Sequence, residues 1–288
     1  MESPPVPGIL WLASYPKSGN TWLRAYLANL FRNGERPLPI DQLPNHALGD
    51  NFLIHYEQFS GTSAGELTHE DIVRLRPQVH QWFATSRPDT TLVKTHNACV
   101  LADGQPLITP AATAGAIYVV RNPLDVAVSF ANHYQVSVDR AVDLVCDENH
   151  RLPAIPGQIE QILLSWSSHV KSWTRAPGMN LHVMRYEDML KRPVKTFGAL
   201  GRFLGLPNEP ARLKRAIRFS SFRELKRQEA AGGFVEARPD GKARFFREGK
   251  TGGWRAVLDA GQVERIVTAH GEVMGEFGYL AKDGTPKD

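Results

Sequence analysis

The chain has 288 residues, of which 42% are hydrophobic and 22% are charged, and its formal net charge is +4. This composition is ordinary for a globular protein and excludes disordered, collagen-like and low-complexity chains. No apolar run approaches the roughly 18 residues that span a bilayer, and so small a net charge does not indicate a nucleic-acid partner. The N-terminus lacks the pattern of a signal peptide, and the two cysteines fit neither a disulfide framework nor a zinc site. We therefore expect a cytoplasmic protein.

Short apolar strands alternate with amphipathic helices along the chain. The first half predicts a strand at 9–13, a helix with apolar residues from Leu23 to Phe31, strands at 91–93 and 116–120, and a helix from Pro123 to about Tyr134. The second half predicts a helix with one apolar face from Ile159 to Trp173, a strand at 181–184, and a helix that stops at Gly278.

This alternation favours an α/β fold with a central parallel sheet flanked by helices. In such folds, ligands bind beyond the carboxyl ends of the strands. The sequence contains no internal repeat and no linker-like stretch. We therefore expect a single domain over residues 1–288, folded over about 8–280, with flexible tails.

The loop after the first predicted strand has the chemistry of an oxyanion site. Residues 15–22 read Tyr-Pro-Lys-Ser-Gly-Asn-Thr-Trp. Gly19 permits a tight turn, the amides of Gly19 to Thr21 would open a helix towards an anion, and Lys17 supplies a full charge. Ser18 and Thr21 add hydroxyl donors. An ordinary strand-to-helix turn could have the same composition, and the loop departs from the P-loop pattern because Lys17 precedes the glycine.

This loop resembles the 5′-phosphosulfate-binding loop of the cytosolic-type sulfotransferases, which is P-loop-NTPase-like. These enzymes take the sulfuryl group from 3′-phosphoadenosine 5′-phosphosulfate (PAPS) and release adenosine 3′,5′-bisphosphate (PAP). The resemblance implies that the donor is bound by Lys17, Ser18, Gly19, Asn20, Thr21 and Trp22.

Two further segments match the family in the same order along the chain. Arg121 follows a predicted strand and Ser129 comes eight residues later, a spacing that resembles the family's 3′-phosphate site. Lys94 and His96, in Lys-Thr-His, resemble the segment that supplies the catalytic base, so His96 would be the base and Lys94 would help to hold the sulfuryl oxygens. Taken alone, Arg121 could be a surface residue and His96 a structural one.

Two segments resemble those that contact the adenine of the donor. Tyr186, in Tyr-Glu-Asp, would lie beside the base. Ser220 and Phe222, in Ser-Ser-Phe, would contact it, with Phe222 stacked on one side and Trp22 on the other. Each of these side chains could equally serve a structural purpose, and only the order of the matches favours the functional interpretation.

Residues 246–255 resemble the segment that closes over the 3′-phosphate, and Arg247 and the Gly249 amide are its implied ligands. Glu248 and Gly253 stand where the family has Lys and Asp, so this segment has one cation fewer at Glu248 than the family pattern, and we expect the departure to bear on the tightness of donor binding. Residues 226–255 carry eight Lys and Arg against four Asp and Glu, an excess equal to the net charge of the whole chain. We expect this basic segment to be a lid that attracts the donor, although a flexible basic loop would have a similar composition.

Together the matches predict a PAPS-dependent sulfotransferase that acts by in-line displacement on a hydroxyl or amine of a small-molecule acceptor, without a metal. His96 would take the acceptor's proton, and Lys17 would stabilise the bridging oxygen. Ser129 could restrain Lys17 through the 3′-phosphate. A P-loop-type small-molecule kinase is the alternative, disfavoured because no Walker-B-like Asp is present. A non-catalytic nucleotide-binding or nucleic-acid-binding module is a further one.

The sequence does not identify the acceptor or the oligomeric state. Loops that could form the acceptor pocket are residues 45–60, 77–85, 132–155 and 228–245. Side chains that could line an apolar pocket, or belong to the core instead, are Phe52, Tyr56, Phe59, Trp82 and Phe83. This aromatic content favours a small hydrophobic or aromatic alcohol over a long anionic glycan as the acceptor. The family's dimer motif is not recognisable around 255–264.

Overall fold

The computed structural model describes residues 8–61, 67–236, 244–246 and 249–287. These residues form two compact units. The first comprises the described parts of Met1–Tyr15, Ala47–Tyr118 and Asp147–Val183, and the second those of Pro16–His46, Val119–Cys146 and Met184–Asp288. The N-terminal tail at 1–7, which we expect to be flexible, lies outside the described residues. The single domain expected from the sequence stays a prediction.

Short, mostly buried strands build the sheet. In chain order the strands are β1 (Gly8–Ser14), β2 (Leu48–Gly49), β3 (Thr90–Thr95), β4 (Leu101–Ala102), β5 (Gln105–Pro106), β6 (Thr113–Val120), β7 (Arg151–Leu152), β8 (Gln161–Ile162) and β9 (Leu181–Arg185). Five of them form one sheet in the order β2-β3-β1-β6-β9. β1 pairs in parallel with β3, Gly8 opposite Thr90 and Ala13 opposite Thr95, and β2 also runs parallel to β3. All seven residues of β1 are buried, which explains the apolar run at residues 9–13.

The helices account for most of the remaining described chain. They are α1 (Asn20–Arg32), α2 (Ile54–Ser60), α3 (His69–Thr85), α4 (Pro123–Tyr134), α5 (Val138–Cys146), α6 (Trp166–Thr174), α7 (Tyr186–Lys191), α8 (Pro193–Phe203), α9 (Pro210–Phe219), α10 (Phe222–Gly232) and α11 (Ala260–Glu276). The predicted α/β fold with a central parallel sheet and flanking helices is confirmed. No described helix is long and apolar enough to cross a membrane.

Part of the core of the first unit lies between the sheet and α3. A capping box begins α3, since Thr68 accepts a hydrogen bond from the amide of Asp71 and the Asp71 side chain binds the Thr68 amide. The apolar face of α3 contacts β1 and β3. Val79 and Phe83 of α3 are completely buried, as is Ile9 of β1. This packing holds the carboxyl ends of β1 and β3 in place.

The second unit packs its core around α1. Ala25 and Ala28 of α1 lie in one buried cluster with Leu38, Leu43 and Leu225. The predicted helix starts and stops are confirmed here. α4 begins at Pro123, with the Asn122 side chain accepting a hydrogen bond from the Leu124 amide at 3.0 Å, and α11 ends just before Gly278, whose φ is 70°.

The helix predicted from Ile159 to Trp173 is wrong in its first half. Residues 161–162 form β8, which pairs with β7, and α6 begins only at Trp166. Leu164 has a φ of 61°, and the Ser165 side chain caps α6 by accepting a hydrogen bond from the Ser168 amide. The amide of Ile162 donates to the side chain of Asn97. Because distant groups satisfy this backbone, the helical spacing of its apolar residues is coincidental.

Candidate active site

Residues 15–22, which we call the phosphate-type loop, lead from β1 into α1 and belong to the second unit from Pro16 onwards. Its backbone enters the left-handed region twice, at Lys17 (φ 68°) and at Gly19 (φ 110°), and α1 begins directly afterwards at the buried Asn20. A Cβ atom on Gly19 would lie 2.7 Å from Cδ2 of Tyr186, so the position accepts only glycine without rearrangement. The first amides of α1 therefore open onto this turn, as in helix-terminal anion sites.

Two basic residues, Lys17 and Arg121, meet at this loop. Nη1 of Arg121 donates a hydrogen bond to the Lys17 carbonyl oxygen at 2.9 Å, and the guanidinium lies 4.3 Å from the ring centre of Tyr186. Nζ of Lys17 lies 4.4 Å from the ring centre of Phe245. Burial, followed by the charge of Arg121, lowers the pKa of Lys17 to about 7, although nearby carboxylates oppose this shift. An anion bound here would relieve the repulsion between the two cations.

Buried polar atoms at the loop fit an oxygen-rich ligand. Ser18 is 1% exposed, and among the described residues its Oγ has no hydrogen-bond partner. The same holds for Nε1 of Trp22. A buried polar atom without a partner costs roughly 1–3 kcal/mol, so such atoms often mark a ligand position. A phosphosulfate group, with several acceptor oxygens, matches the hydroxyl and the amides of this loop.

The residues predicted to contact adenine fall into two groups. Tyr186 is buried at the start of α7, and its ring meets Trp22 edge-on with the centroids 5.6 Å apart. Phe222 begins α10, and Gly249 (φ 63°) lies against its ring so closely that a Cβ would come within 2.3 Å of Cγ. Ser220 is fully buried and donates its hydroxyl to the Ala216 carbonyl at 2.8 Å. Its hydroxyl therefore retains only acceptor capacity.

The roles of two predicted 3′-phosphate ligands stay predictions. Ser129 is half-buried in the second turn of α4, the helix that begins two residues after Arg121. Arg247 lies outside the described residues, as do Glu248 and the residues 237–243 of the basic segment.

Carboxylates anchor the described parts of the basic segment. Glu229 accepts hydrogen bonds from the amides of Phe245 and Phe246 at 2.6 and 2.9 Å. Asp125, buried in the first turn of α4, accepts from the amides of Gly252 and Trp254 at 2.9 and 3.1 Å. No motif in the sequence points to either carboxylate, although an acid within the apolar run of α4 is a signal of a buried partner.

His96 lies in the first unit, directly after β3. Its Nδ1 is 2.7 Å from the carbonyl oxygen of the buried Ser14 and 3.4 Å from the Ser14 hydroxyl. A carbonyl oxygen can only accept, so Nδ1 carries the hydrogen in this bond. In the neutral ring, Nε2 then holds the lone pair. The geometry thus fixes the tautomer that can act as a base through Nε2.

A buried carboxylate holds the residues on either side of His96. Oδ2 of Asp50 accepts hydrogen bonds from Thr95 Oγ1 at 2.5 Å and from Asn97 Nδ2 at 3.0 Å, and the Asp50 amide donates to the Lys94 carbonyl. Burial raises the pKa of Asp50, while these hydrogen bonds and the nearby Lys94 charge oppose the shift. Lys94 itself is half-buried. Asp50 therefore fixes the turn that carries His96.

A second chain of hydrogen bonds reaches the His96 backbone. Nε2 of His169 donates to the His96 carbonyl oxygen at 3.0 Å, and Nδ1 of His169 accepts from the Tyr118 hydroxyl at 2.7 Å. Burial lowers the pKa of His169 to about 4, so this imidazole stays neutral near pH 7. Nothing in the sequence marks Ser14, Asp50, Tyr118 or His169 as partners of His96, because they approach it only through folding.

The first unit also contains a cavity of about 630 Å³. Apolar side chains dominate its wall, including Leu53, Ile72, Leu107, Ile155 and Ile162, and Arg76 is among its polar residues. Neither His96 nor Lys94 is among the described residues that line it. However, the backbone of Ile162 is hydrogen-bonded to the side chain of Asn97 and to the amide of Ala98, directly after His96.

The five aromatic residues considered for an acceptor pocket divide between core and surface. Tyr56 and Phe83 are buried core residues, Phe52 is exposed, and Phe59 and Trp82 are half-buried. The described lining of the cavity includes none of the five.

Comparison with known proteins identifies the family. The protein-family model that describes the sulfotransferase domain matches residues 7–278 of this chain. This chain belongs to the sulfotransferase domain family. One curated relative is sulfotransferase 1A1 of Canis lupus familiaris, which is 25% identical over 90% of this sulfotransferase and 81% of the relative. Another is flavonol 3-sulfotransferase of Flaveria bidentis, which is 25% identical over 96% of this sulfotransferase and 85% of the relative. The sulfotransferase predicted from the sequence motifs is therefore confirmed, in preference to a kinase.

A solved structure shares the fold of this sulfotransferase. Retinol dehydratase, in complex with androsterone and the inactive cofactor PAP, matches with a TM-score of 0.63 at 18% identity, over 97% of this chain and 84% of that one.

Proposed function

We propose that this sulfotransferase uses PAPS as donor and that the loop of Lys17 is its phosphosulfate site. The observation that carries the proposal is the pair of basic residues, Lys17 and Arg121, at the start of a helix, because two cationic groups beside a helix N-terminus favour anionic groups of a donor. The buried hydroxyl of Ser18 adds a donor in the same place. PAP in the retinol dehydratase structure supports the same donor. Gly19, Asn20, Thr21 and Trp22 complete this set.

The remaining residues of the proposed donor site also belong to the second unit. Arg121 and Ser129 bind the 3′-phosphate, with Arg247 and the Gly249 amide as further ligands. Tyr186, Ser220 and Phe222 contact the adenine. The ring contacts of Tyr186 with Trp22 and of Phe222 with Gly249 support this assignment, because they hold the aromatic faces in fixed positions.

His96 acts as the general base. In the transfer, the acceptor oxygen forms a bond to sulfur, the bond from sulfur to the bridging oxygen of PAPS breaks with release of PAP, and the acceptor proton goes to His96 Nε2. The hydrogen bond of Nδ1 to the Ser14 carbonyl supports this role, because it makes Nε2 the basic nitrogen of the neutral ring and stabilises the imidazolium that forms. Lys94 assists at the sulfuryl oxygens, and Ser129 restrains Lys17 through the 3′-phosphate.

Lys17 stabilises the charge that develops on the bridging oxygen. Its pKa of about 7 means that the ammonium is only partly populated at neutral pH without an anion. A bound anion favours the protonated form. Lys17 can therefore offer both a positive charge and a proton to the leaving group.

The proposed acceptor is a small, mostly apolar molecule that carries a hydroxyl or amine. The apolar cavity of about 630 Å³ supports this, because its volume falls in the range of small-molecule pockets and its wall at Ile162 adjoins the segment after His96. Androsterone in the retinol dehydratase structure is a molecule of this class.

The test is a turnover assay with PAPS and a panel of phenols, sterols and aliphatic alcohols, in which PAP release is measured. We expect acceptor-dependent PAP release that is at least 100-fold slower, about 10²- to 10⁴-fold in all, in His96→Ala. The matched control offers ATP and Mg²⁺ with the same acceptors. Failure to bind PAP in calorimetry, together with phosphorylation from ATP, would overturn the proposal.

A further inference from the structure

A buried arginine lies beneath the phosphate-type loop and carries a carboxylate partner. Arg24 stands one turn into α1 and is 5% exposed. Its Nη2 donates to Thr21 Oγ1 at 3.0 Å and to Glu236 Oε2 at 2.6 Å. Thr21 Oγ1 in turn donates to the same Glu236 oxygen at 3.3 Å. One carboxylate oxygen thus binds both a loop hydroxyl and a buried guanidinium.

This carboxylate makes the contacts that an oxygen of an anionic ligand would make. Carboxylate and phosphate oxygens accept the same charge-assisted hydrogen bonds from arginine and hydroxyl donors. The charge of Glu236 also reaches Lys17, where it raises the pKa against the effects of burial and Arg121. Glu236 therefore partly neutralises the cations of the loop.

The two partners differ in how easily they can move. The Glu236 side chain is 31% exposed, so water can solvate its carboxylate when the ion pair opens. Arg24 is buried in α1, and its Nε has no hydrogen-bond partner among the described residues. A buried guanidinium needs an anionic partner. An exchange of partners at this site consequently moves Glu236 and leaves Arg24 in place.

We propose that Arg24 is an additional donor-binding residue. In the absence of donor, the Glu236 carboxylate accepts the hydrogen bonds of Arg24 and Thr21, and the 5′-phosphate end of PAPS or PAP replaces this carboxylate when it binds. This inference rests on the proposed function of the loop. It adds a cation that the family resemblance did not assign and a glutamate that competes with the donor.

Glu236→Gln tests the competition, because glutamine keeps the size and one acceptor oxygen but removes the charge. We expect PAP to bind about three- to tenfold more tightly, the difference between a charge-assisted and a neutral hydrogen bond at a partly exposed site. Adenosine 3′-monophosphate lacks the 5′-phosphate and should bind equally to both proteins. Glu264→Gln, which removes an exposed charge on α11, controls for net charge.

Arg24→Met and Arg24→Lys test the arginine. We expect both to weaken PAP binding, about tenfold or more for Met and less for Lys, without changing the affinity for adenosine 3′-monophosphate. Thermal unfolding of each variant establishes whether it is folded. If Arg24→Met does not fold, the PAP affinity of Arg24→Lys is the test of the arginine. In Glu236→Gln, substitution of Arg24 should still weaken PAP binding.

Calorimetric titration of the full chain with both nucleotides separates the outcomes. An unchanged or weaker PAP affinity in Glu236→Gln overturns the inference, as does an equal gain for adenosine 3′-monophosphate. If the wild-type chain and Glu236→Gln both fail to bind PAP, the proposed function itself fails. Tight binding only in Glu236→Gln supports both.

Discussion

The depressed pKa of Lys17 predicts that PAP binding takes up a proton. Without an anion the pKa is lowered from 10.5 to about 7, so above pH 7 much of the protein carries a neutral Lys17. A bound bisphosphate restores the ammonium. Binding is then coupled to protonation, and PAP affinity falls as the pH rises above 7.

The size of this effect follows from the pKa. With a free-state value of about 7 and a much higher value in the complex, binding takes up about 0.5 proton at pH 7 and about 0.9 proton at pH 8. The Kd for PAP should rise about fiftyfold from pH 7 to pH 9. Phosphate monoesters have a second pKa of about 6, so above pH 7 PAP itself contributes little.

Calorimetry in HEPES and in Tris measures the proton uptake, because the two buffers differ in ionisation enthalpy. Lys17→Arg is the matched control, since arginine stays protonated throughout this range. We expect the control to take up almost no proton and to lose little affinity between pH 7 and pH 9. Equal proton uptake by the two proteins, or uptake by the wild type below about 0.1 at pH 8, would refute the reasoning.

Three other substitutions probe the two units. His96→Ala should lower kcat by about 10²- to 10⁴-fold and leave the Kd for PAP within about twofold in calorimetry, because the base is not a donor ligand. Asp50→Ala should lower the free energy of unfolding by about 2–4 kcal/mol in a urea titration, since it leaves two buried donors without their acceptor. Gly19→Ala should weaken PAP binding at least tenfold, since φ is 110° there and the new Cβ would meet Tyr186 at 2.7 Å.

Each of these outcomes has a contradicting result. Near-normal turnover in His96→Ala would remove the histidine from the proton transfer. A urea midpoint unchanged in Asp50→Ala would mean that water replaces the carboxylate. Unaltered PAP affinity in Gly19→Ala would show that the turn tolerates a side chain. Gly61→Ala is the control for backbone strain alone, because φ is positive there and no atom of the described residues lies within 4 Å of the new Cβ.

The sequence predicts most of the sheet and its helices because their signals are local. The apolar run of β1 and the proline that begins α4 each act within a few residues. The helix predicted before α6 is wrong for the opposite reason, because the amides of this region are hydrogen-bonded to groups that are far away in the chain. Ile162 bonds to Asn97, which is 65 residues distant.

The candidate site likewise contains residues that can be predicted from the local sequence and partners that only folding brings to them. The loop of Lys17 is contiguous in sequence, so its chemistry is recognisable before folding. By contrast, Glu236 lies 212 residues from Arg24, and the carbonyl that fixes the His96 tautomer belongs to Ser14, 82 residues away. A backbone carbonyl has no side-chain identity, so no sequence pattern can reveal that it serves as a partner.

The attachment of Gly252 and Trp254 to Asp125 bears on how this protein can diverge from its relatives. The anchor uses two main-chain amides, which every residue except proline provides. The side chain between the two anchored amides can therefore be exchanged during evolution without detaching the segment, and Gly253 is such a departure from the family pattern. Asp125 has no such freedom, because its carboxylate alone makes both bonds. In homologues we therefore expect variation along this loop and an acid retained in the first turn of α4.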